Sequence, residues 1–260
     1  MPRMIYLDYQ ATTPLAPEAR EAMLRWLEGP GEGDGFANPS STHKGGRAAA
    51  AAVEVARDQV SALLPKGGRV FFTSGATEAL NWALLRGAEL MPGGVAGLSI
   101  EHAASLQCLE RLHATVLPVD SEGVARPPDS ALIPENGIVV TMLVNNEVGT
   151  IQPVADFAAA AHEKNSLLLC DAVQGYGRVP IPESTDLIAI SAHKIHGPKG
   201  IGALWIRDGI DLPPLMFGGA QEQGMRSGTV SPALCAGFGA AAALAAERQD
   251  EDAAHVERLW

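Results

Sequence analysis

The sequence is poor in cysteine, aromatic residues and positive charge, and no apolar run is long enough to cross a membrane, because Gly, Pro or a charge interrupts each one. Three cysteines in 260 residues cannot staple a disulfide scaffold, and Cys108, Cys170 and Cys235 lie too far apart in sequence for metal-ligand spacing. They fit a reducing cytoplasm, each as a small core residue. Lys and Arg number 19 against 30 Asp and Glu, a formal net charge of −11. That balance argues against a nucleic-acid partner, since phosphate binding needs an excess of cations. A local basic pocket for one small phosphate stays compatible with it. The first eight residues lack a positive start followed by an apolar core, so no secretory signal is visible. No internal repeat is present.

What remains is an ordinary globular composition, 47% hydrophobic and 19% charged, enough for one large α/β domain with a sizeable core. Apolar runs of strand length are expected as strands at 4–8, 69–73, 96–100, 114–119, 137–144, 166–171, 187–191 and 201–206, the last antiparallel to its predecessor. Helices are expected from Pro17, with Ala19, Met23, Trp26 and Leu27 on one face, and over 42–64, 74–90, 154–164 and from Pro232 onward. Strands alternating with helices predict a mostly parallel sheet covered on both sides. The glycine-rich run 29–41 has no strand before it and reads as a mobile loop over or beside a site. A Pro-rich loop runs through Asp129, and a second glycine-rich loop spans 218–229.

Such a sheet gathers its ligands at the carboxyl ends of its strands. The organising stretch is Asp186 to Gly200, an apolar run that stops abruptly in His193-Lys194-Ile195-His196-Gly197. A lysine at the end of a buried strand is partly desolvated, which lowers its pKa and frees its amine to form a Schiff base. The plainer alternative is a solvated loop lysine, and Lys199, in the following turn, is the rival amine. Asp171 ends another apolar strand, where a buried carboxylate should meet a cation or a strong donor. His102 falls at a strand-to-helix boundary as a surface, capping or functional residue. Asn145 and Asn146 close a further strand, as turn formers or as ligand contacts. Ser74-Gly-Ala-Thr-Glu78 opens a helix directly after a strand, either as a phosphate cradle or as a plain cap made by Ser74 or Thr77. An amine, a buried carboxylate, a histidine and a phosphate cradle on one sheet edge are the parts that hold pyridoxal 5'-phosphate.

Five segments then carry a family resemblance: Tyr6-Leu-Asp-Tyr-Gln-Ala-Thr-Thr-Pro14, Phe72-Thr-Ser-Gly-Ala-Thr-Glu78, Val144-Asn-Asn-Glu-Val-Gly149, His193-Lys-Ile-His-Gly-Pro-Lys-Gly-Ile-Gly202 and Gly224-Met-Arg-Ser-Gly-Thr229. Together, and in this order, they resemble the cysteine desulfurases of the class V aminotransferase superfamily. The resemblance implies the fold type I of pyridoxal-phosphate transferases, with a seven-stranded-type, mostly parallel sheet flanked by helices. It implies Lys194 as the Schiff-base lysine, Asp171 facing the pyridine nitrogen and Gln174 bonding the ring oxygen. His102 would stack on the ring and also move protons. Ala76, Thr77, Ser191 and His193 would bind the phosphate, and Asn146 would lie near cofactor and substrate carboxylate. Thr229 would reach the phosphate of a partner subunit in a homodimer. The activity implied is removal of sulfur from L-cysteine to give L-alanine and a persulfide, passed to a sulfur-acceptor or scaffold protein for iron–sulfur cluster assembly or thiolation.

The sequence departs from the family in its last part. The family's nucleophilic cysteine lies on a loop near the C-terminal end, as does its substrate-carboxylate arginine, and none of Cys108, Cys170 and Cys235 sits in a similar context. Cys170 precedes Asp171 on a strand, so its thiol should point away from the ring. The helix from Pro232 still reads as helix at Trp260. These features predict a C-terminally truncated chain: an N-terminal segment 1–15, a cofactor-binding domain 16–245, and in 246–260 the start of a helix toward a largely absent small domain. The alternatives are a fragment completed by a second chain, or an aminotransferase or selenocysteine lyase of the same fold.

Overall fold

The computed structural model describes residues 5–29, 35–126 and 130–259. Residues 30–34 of the glycine-rich run and 127–129 of the Pro-rich loop, on which sequence expectations were placed, lie outside them. Seven strands form one sheet: β1 (Gly68–Thr73), β2 (Val95–Leu98), β3 (Thr115–Leu117), β4 (Ile138–Met142), β5 (Leu167–Asp171), β6 (Leu187–Ser191) and β7 (Gly202–Arg207), in the order β1-β7-β6-β5-β4-β2-β3. β3, β2, β4, β5 and β6 run parallel, and β7 is antiparallel to both β6 and β1. This is the expected architecture, including the antiparallel return after Lys194.

The central strands are largely apolar and buried along almost their whole length because helices cover both faces. Along β5 and β6 the side chains alternate: Leu168, Cys170, Ile188 and Ile190 join one core, while Leu169, Leu187 and Ala189 join the other. The helices are α1 (Pro17–Leu24), α2 (Lys44–Ser61), α3 (Ala76–Leu90), α4 (Ala103–Arg111), α5 (Val154–Glu163) and α6 (Pro232–Leu259). α2, α5 and α6 supply the first core, and α3 and α4 the second. α6 crosses close to α2 because Gly239 has no side chain: a Cβ there would stand 2.8 Å from the Cα of Ala56.

Several expectations shift. Ile5–Asp8 forms no strand, since no neighbouring strand takes its backbone bonds; the segment instead turns at 9–11 toward the site. α1 ends at Leu24, and Leu27 is exposed rather than part of its buried face. The helix expected over 42–64 is α2, which begins after His43 because the His43 ring caps it, accepting from the Gly46 N–H at 3.2 Å. α6 continues unbroken to Leu259 with 251–259 exposed. Among the described residues no helix is long and apolar enough to cross a membrane.

Candidate active site

A cavity of about 740 Å³ opens where β4, β5 and β6 end. It is lined by Ala76, Thr77, His102 and Asn146, and by Asp171, Gln174, Ser191, His193 and Lys194. Nine of the ten residues singled out in the sequence therefore meet in one place; Thr229 is exposed and does not line it.

Lys194 sits on a single 3₁₀ turn, Ala192–Lys194, directly after β6. Its Nζ donates to the Gln10 carbonyl and, at 3.1 Å, to the Ala11 carbonyl. The Lys194 amine is held below its usual range by burial and by the nearby Arg178 guanidinium, with Asp171 and Asp8 pulling the other way. Arg178 also donates to the Lys194 carbonyl at 2.7 Å. Lys199 lines the same cavity but is exposed. The N-terminal segment closes over this turn: the Thr13 hydroxyl donates to the His193 carbonyl at 2.9 Å and accepts from the His196 N–H at 2.8 Å. His193 and the Thr12 hydroxyl lie 3.1 Å apart.

Asp171 is 4% exposed and meets no cation within ion-pairing distance among the described residues. The expected cation partner is therefore not in contact; one Asp171 oxygen accepts from the Val173 N–H at 3.0 Å. Burial raises the carboxyl, while that bond and the more distant His102 and Lys194 favour its charge. Gln174 donates to the Gln10 carbonyl at 2.9 Å, and its buried Oε1 has no partner. Cys170 points into the opposite core from its alternating neighbour Leu169, as the strand periodicity required.

His102 is both of the things its position suggested. Its Nδ1 caps α4, accepting from the Ala104 N–H at 3.1 Å, while the residue lines the cavity. Accepting at Nδ1 places the proton of the neutral ring on Nε2. The two asparagines divide the two readings of their strand end. Asn145 builds the turn, accepting from Glu147 and Val148 and donating to the Ile100 carbonyl, and Asn146 faces the cavity.

Between β1 and α3 the plain cap by Ser74 or Thr77 is not formed. Gly75 precedes α3, and no side chain caps the helix. The first-turn N–H groups of such a helix lack intrahelical partners and favour an anion. The backbone of β7 can approach because residue 202 is glycine: a Cβ there would stand 2.8 Å from the Ala76 nitrogen. Burial pushes the Glu78 carboxyl up, but hydrogen bonds from Arg226 and from Ser74 pull it below the usual carboxylate range. Glu78 accepts from the Ser74 N–H at 2.8 Å and from Arg226 at 2.7 and 2.9 Å.

Sequence reasoning passed over Glu101 and over the Gln10 carbonyl. Glu101 is 4% exposed, accepts from the Met142 N–H at 2.7 Å, and leaves its second oxygen without a partner.

A pyridoxal phosphate fits these groups. The cradle offers N–H groups to a phosphate, Asp171 is a buried acceptor without a competing cation, the unpartnered Gln174 Oε1 can accept from a ring hydroxyl, and Lys194 is an amine held toward its neutral form.

The sequence matches the family described as Aminotransferase class-V over residues 5–259. It is similar to the cysteine desulfurase IscS of Dictyoglomus turgidum, 41% identical over 273 residues, which cover 100% of this chain and 67% of the relative. It is also similar to the mitochondrial cysteine desulfurase of Saccharomyces cerevisiae, 40% identical over 276 residues, covering 99% of this chain and 54% of the relative. The chain thus spans between about half and two thirds of these two proteins. The solved structure of a NifS-like protein superposes with a TM-score of 0.90 at 36% identity, covering 99% of this chain and 73% of that one.

Proposed function

The chain belongs to the class-V aminotransferase family, and from that premise we propose that it is a pyridoxal-phosphate-dependent cysteine desulfurase acting on L-cysteine. The observation that carries this reading is the convergence of the Lys194 amine, the cation-free Asp171 carboxyl and the backbone cradle at Ala76–Thr77 on one cavity. Bound pyridoxal phosphate supplies an electron sink conjugated to the substrate's α-carbon.

The chain's own residues then have distinct tasks. Ala76 and Thr77, with Ser191 and His193, hold the phosphate. Asp171 holds a proton on the ring nitrogen. Gln174 orients the ring through its oxygen. Lys194 would anchor the cofactor through Nζ and is the amine placed to move the substrate's α-proton. His102, with its proton on Nε2, stacks on the ring and delivers protons nearby. Asn146 positions the ring and the substrate carboxylate. Residues 16–245 form the cofactor-binding unit, and Thr229, exposed, contacts the phosphate of the second subunit in a homodimer. A sulfur-acceptor or scaffold protein takes the product sulfur toward iron–sulfur clusters or thiolation. Three free cysteines support a reducing compartment, the cytoplasm.

The burial of all three cysteines favours a second reading of the sulfur step. Cys108, Cys170 and Cys235 are 4% exposed or less, and burial pushes each thiol up, away from the reactive thiolate. The attacking thiol is therefore none of these. Either a thiol outside these residues accepts the sulfur, or the site works as a lyase or an aminotransferase without a persulfide.

The test is an absorption spectrum of the chain supplied with pyridoxal phosphate, compared with Lys194→Ala, before and after L-cysteine. The expected result is a visible band that requires Lys194 and changes with cysteine, with slow turnover unless a thiol is added. A folded chain whose band is indifferent to Lys194 overturns the reading. Release of sulfide without protein-bound persulfide selects the lyase, and keto-acid-dependent amino transfer selects the aminotransferase.

A further inference from the structure

We infer that Glu101 is a positioning residue that stands behind Asp171 as a neutral acid, tying the end of β4 in place and leaving Asp171 as the ionised member of this buried pair. Its bearing on the cofactor rests on the role proposed above for Asp171.

The argument begins with strand order. β2 pairs with β4 as far as Gly97 opposite Val140, and then turns away. The next N–H of β4 on that side, that of Met142, would face a gap. Glu101, just beyond the end of β2, fills it by accepting from Met142 at 2.7 Å, so a side chain continues the ladder that the strand abandons. On its other side Met142 is paired with Asp171. Glu101 therefore fixes the strand against which Asp171 is registered.

Its charge state follows from its surroundings. Glu101 is 4% exposed, and among the described residues no Lys, Arg or His forms an ion pair with it. The groups of β5 that act on it are the Asp171 carboxyl and the Cys170 thiol, and neither can neutralise it. The adjacent His102 commits its Nδ1 to the Ala104 N–H. Oε1 has one hydrogen bond and Oε2 none. A carboxylate with one donor, buried beside another carboxylate, is strongly disfavoured, whereas the neutral acid pays far less for burial. Burial first, then the Asp171 charge, drives the Glu101 carboxyl well above its ordinary value, the Met142 N–H opposing. His102 and Lys194 act on Asp171 in the opposite sense, favouring its charge. Of the two carboxyls, Asp171 ionises and Glu101 keeps the proton.

The experiment uses the whole chain without cofactor, labelled with ¹³C at Asp and Glu carboxyls and titrated by NMR. The Glu101 signal, assigned by its loss in Glu101→Gln, is expected at the protonated position at pH 7. The Asp171 midpoint should move by less than about half a unit in that variant, because a neutral amide replaces a neutral acid. An ionised Glu101 at pH 7, or an Asp171 midpoint falling by about one unit or more when Glu101 is replaced, overturns the inference. Thermal unfolding of the same variant adds a second reading. A carboxyl whose folded-state pKa is raised loses stabilising power as pH rises above its unfolded value, so Glu101→Gln should gain stability over the parent at pH 8 and little at pH 5. A loss at pH 8 would sink the idea. Should Glu101→Gln fail to fold, selective loss of the signal in Glu101→Asp, whose shorter acid titrates elsewhere, makes the assignment, and an ionised signal at pH 7 is again fatal. Failure here leaves the Lys194 absorption test untouched, so the two readings fall separately.

Discussion

At the free edge of β1, Glu222 and Glu78 are each gripped by an arginine, whereas at the ends of β4 and β5, Asp171 and Glu101 are buried without one. Glu222 accepts from both Arg57 nitrogens, at 2.7 and 2.8 Å, and from the Phe72 N–H at 2.8 Å, while Arg57 also donates to the Val70 carbonyl at 2.8 Å. This ion pair occupies the N–H and C=O groups that an eighth strand would have taken, and so closes an edge otherwise open to unwanted pairing. Glu78 does the same one step further along for Ser74, with Arg226 across it. The chain could neutralise every buried carboxylate in this way, and at the cavity it does not. A cation against Asp171 would satisfy it and would also compete with a protonated ring nitrogen. The edge carboxylates hold the loop 218–229 to the sheet, whereas Asp171 lines the cavity with no cation paired to it.

This contrast makes opposed forecasts. Glu222→Ala should cost about 3 kcal/mol of stability, because it leaves the Phe72 N–H unpaired and the half-buried Arg57 with only Glu54 and the Val70 carbonyl, and urea unfolding measures it. Asp171→Asn should leave the cofactor-free chain as stable as the parent or more so, since it removes an unpaired buried charge. It should nevertheless weaken pyridoxal phosphate binding roughly 100-fold, the equivalent of about 3 kcal/mol for a charged hydrogen bond. Equal losses of stability in both variants would break the distinction. Arg226→Ala should cost about 2 kcal/mol at neutral pH. The Glu78 carboxyl is lowered in the folded chain, so its contribution is present above the unfolded value, near 4.5, and lost as pH falls through the folded one. The gap between parent and Arg226→Ala in thermal melts should therefore narrow in acid, and a constant gap would show that Glu78 is not the partner that matters.

The legibility of the sequence divides along the same line. Lys194 and Asp171 could be read because each ends an apolar run, and a polar residue there is conspicuous without knowing its neighbours. The cradle could be read from the order strand, small residues, helix. Glu101 could not, since its task exists only once β2 and β4 are known to be adjacent and of unequal reach. Arg57 and Glu222 stand 165 residues apart, a separation across which no local pattern runs. Ile5–Asp8 looked like a strand because apolar residues cluster there, but strand formation needs a neighbouring backbone, and among the described residues none lies beside it. Element ends were set too long by one to three residues at α2 and β4, where side-chain caps and turns, not hydrophobicity, decide the last residue.

The place of β1 also sets a timetable. Gly68 meets Arg207 and Thr73 meets Gly202, and β1 has no other strand beside it. During synthesis the early segment that carries the cradle must wait, unpaired, until β7 has emerged and docked on β6. Loop closure over such a separation is slow, so the parallel strands can assemble before the phosphate end of the cavity exists. Pyridoxal phosphate meeting a growing chain would find the lysine end first and its anchor last, and a nascent chain stopped before Gly202 would have one without the other.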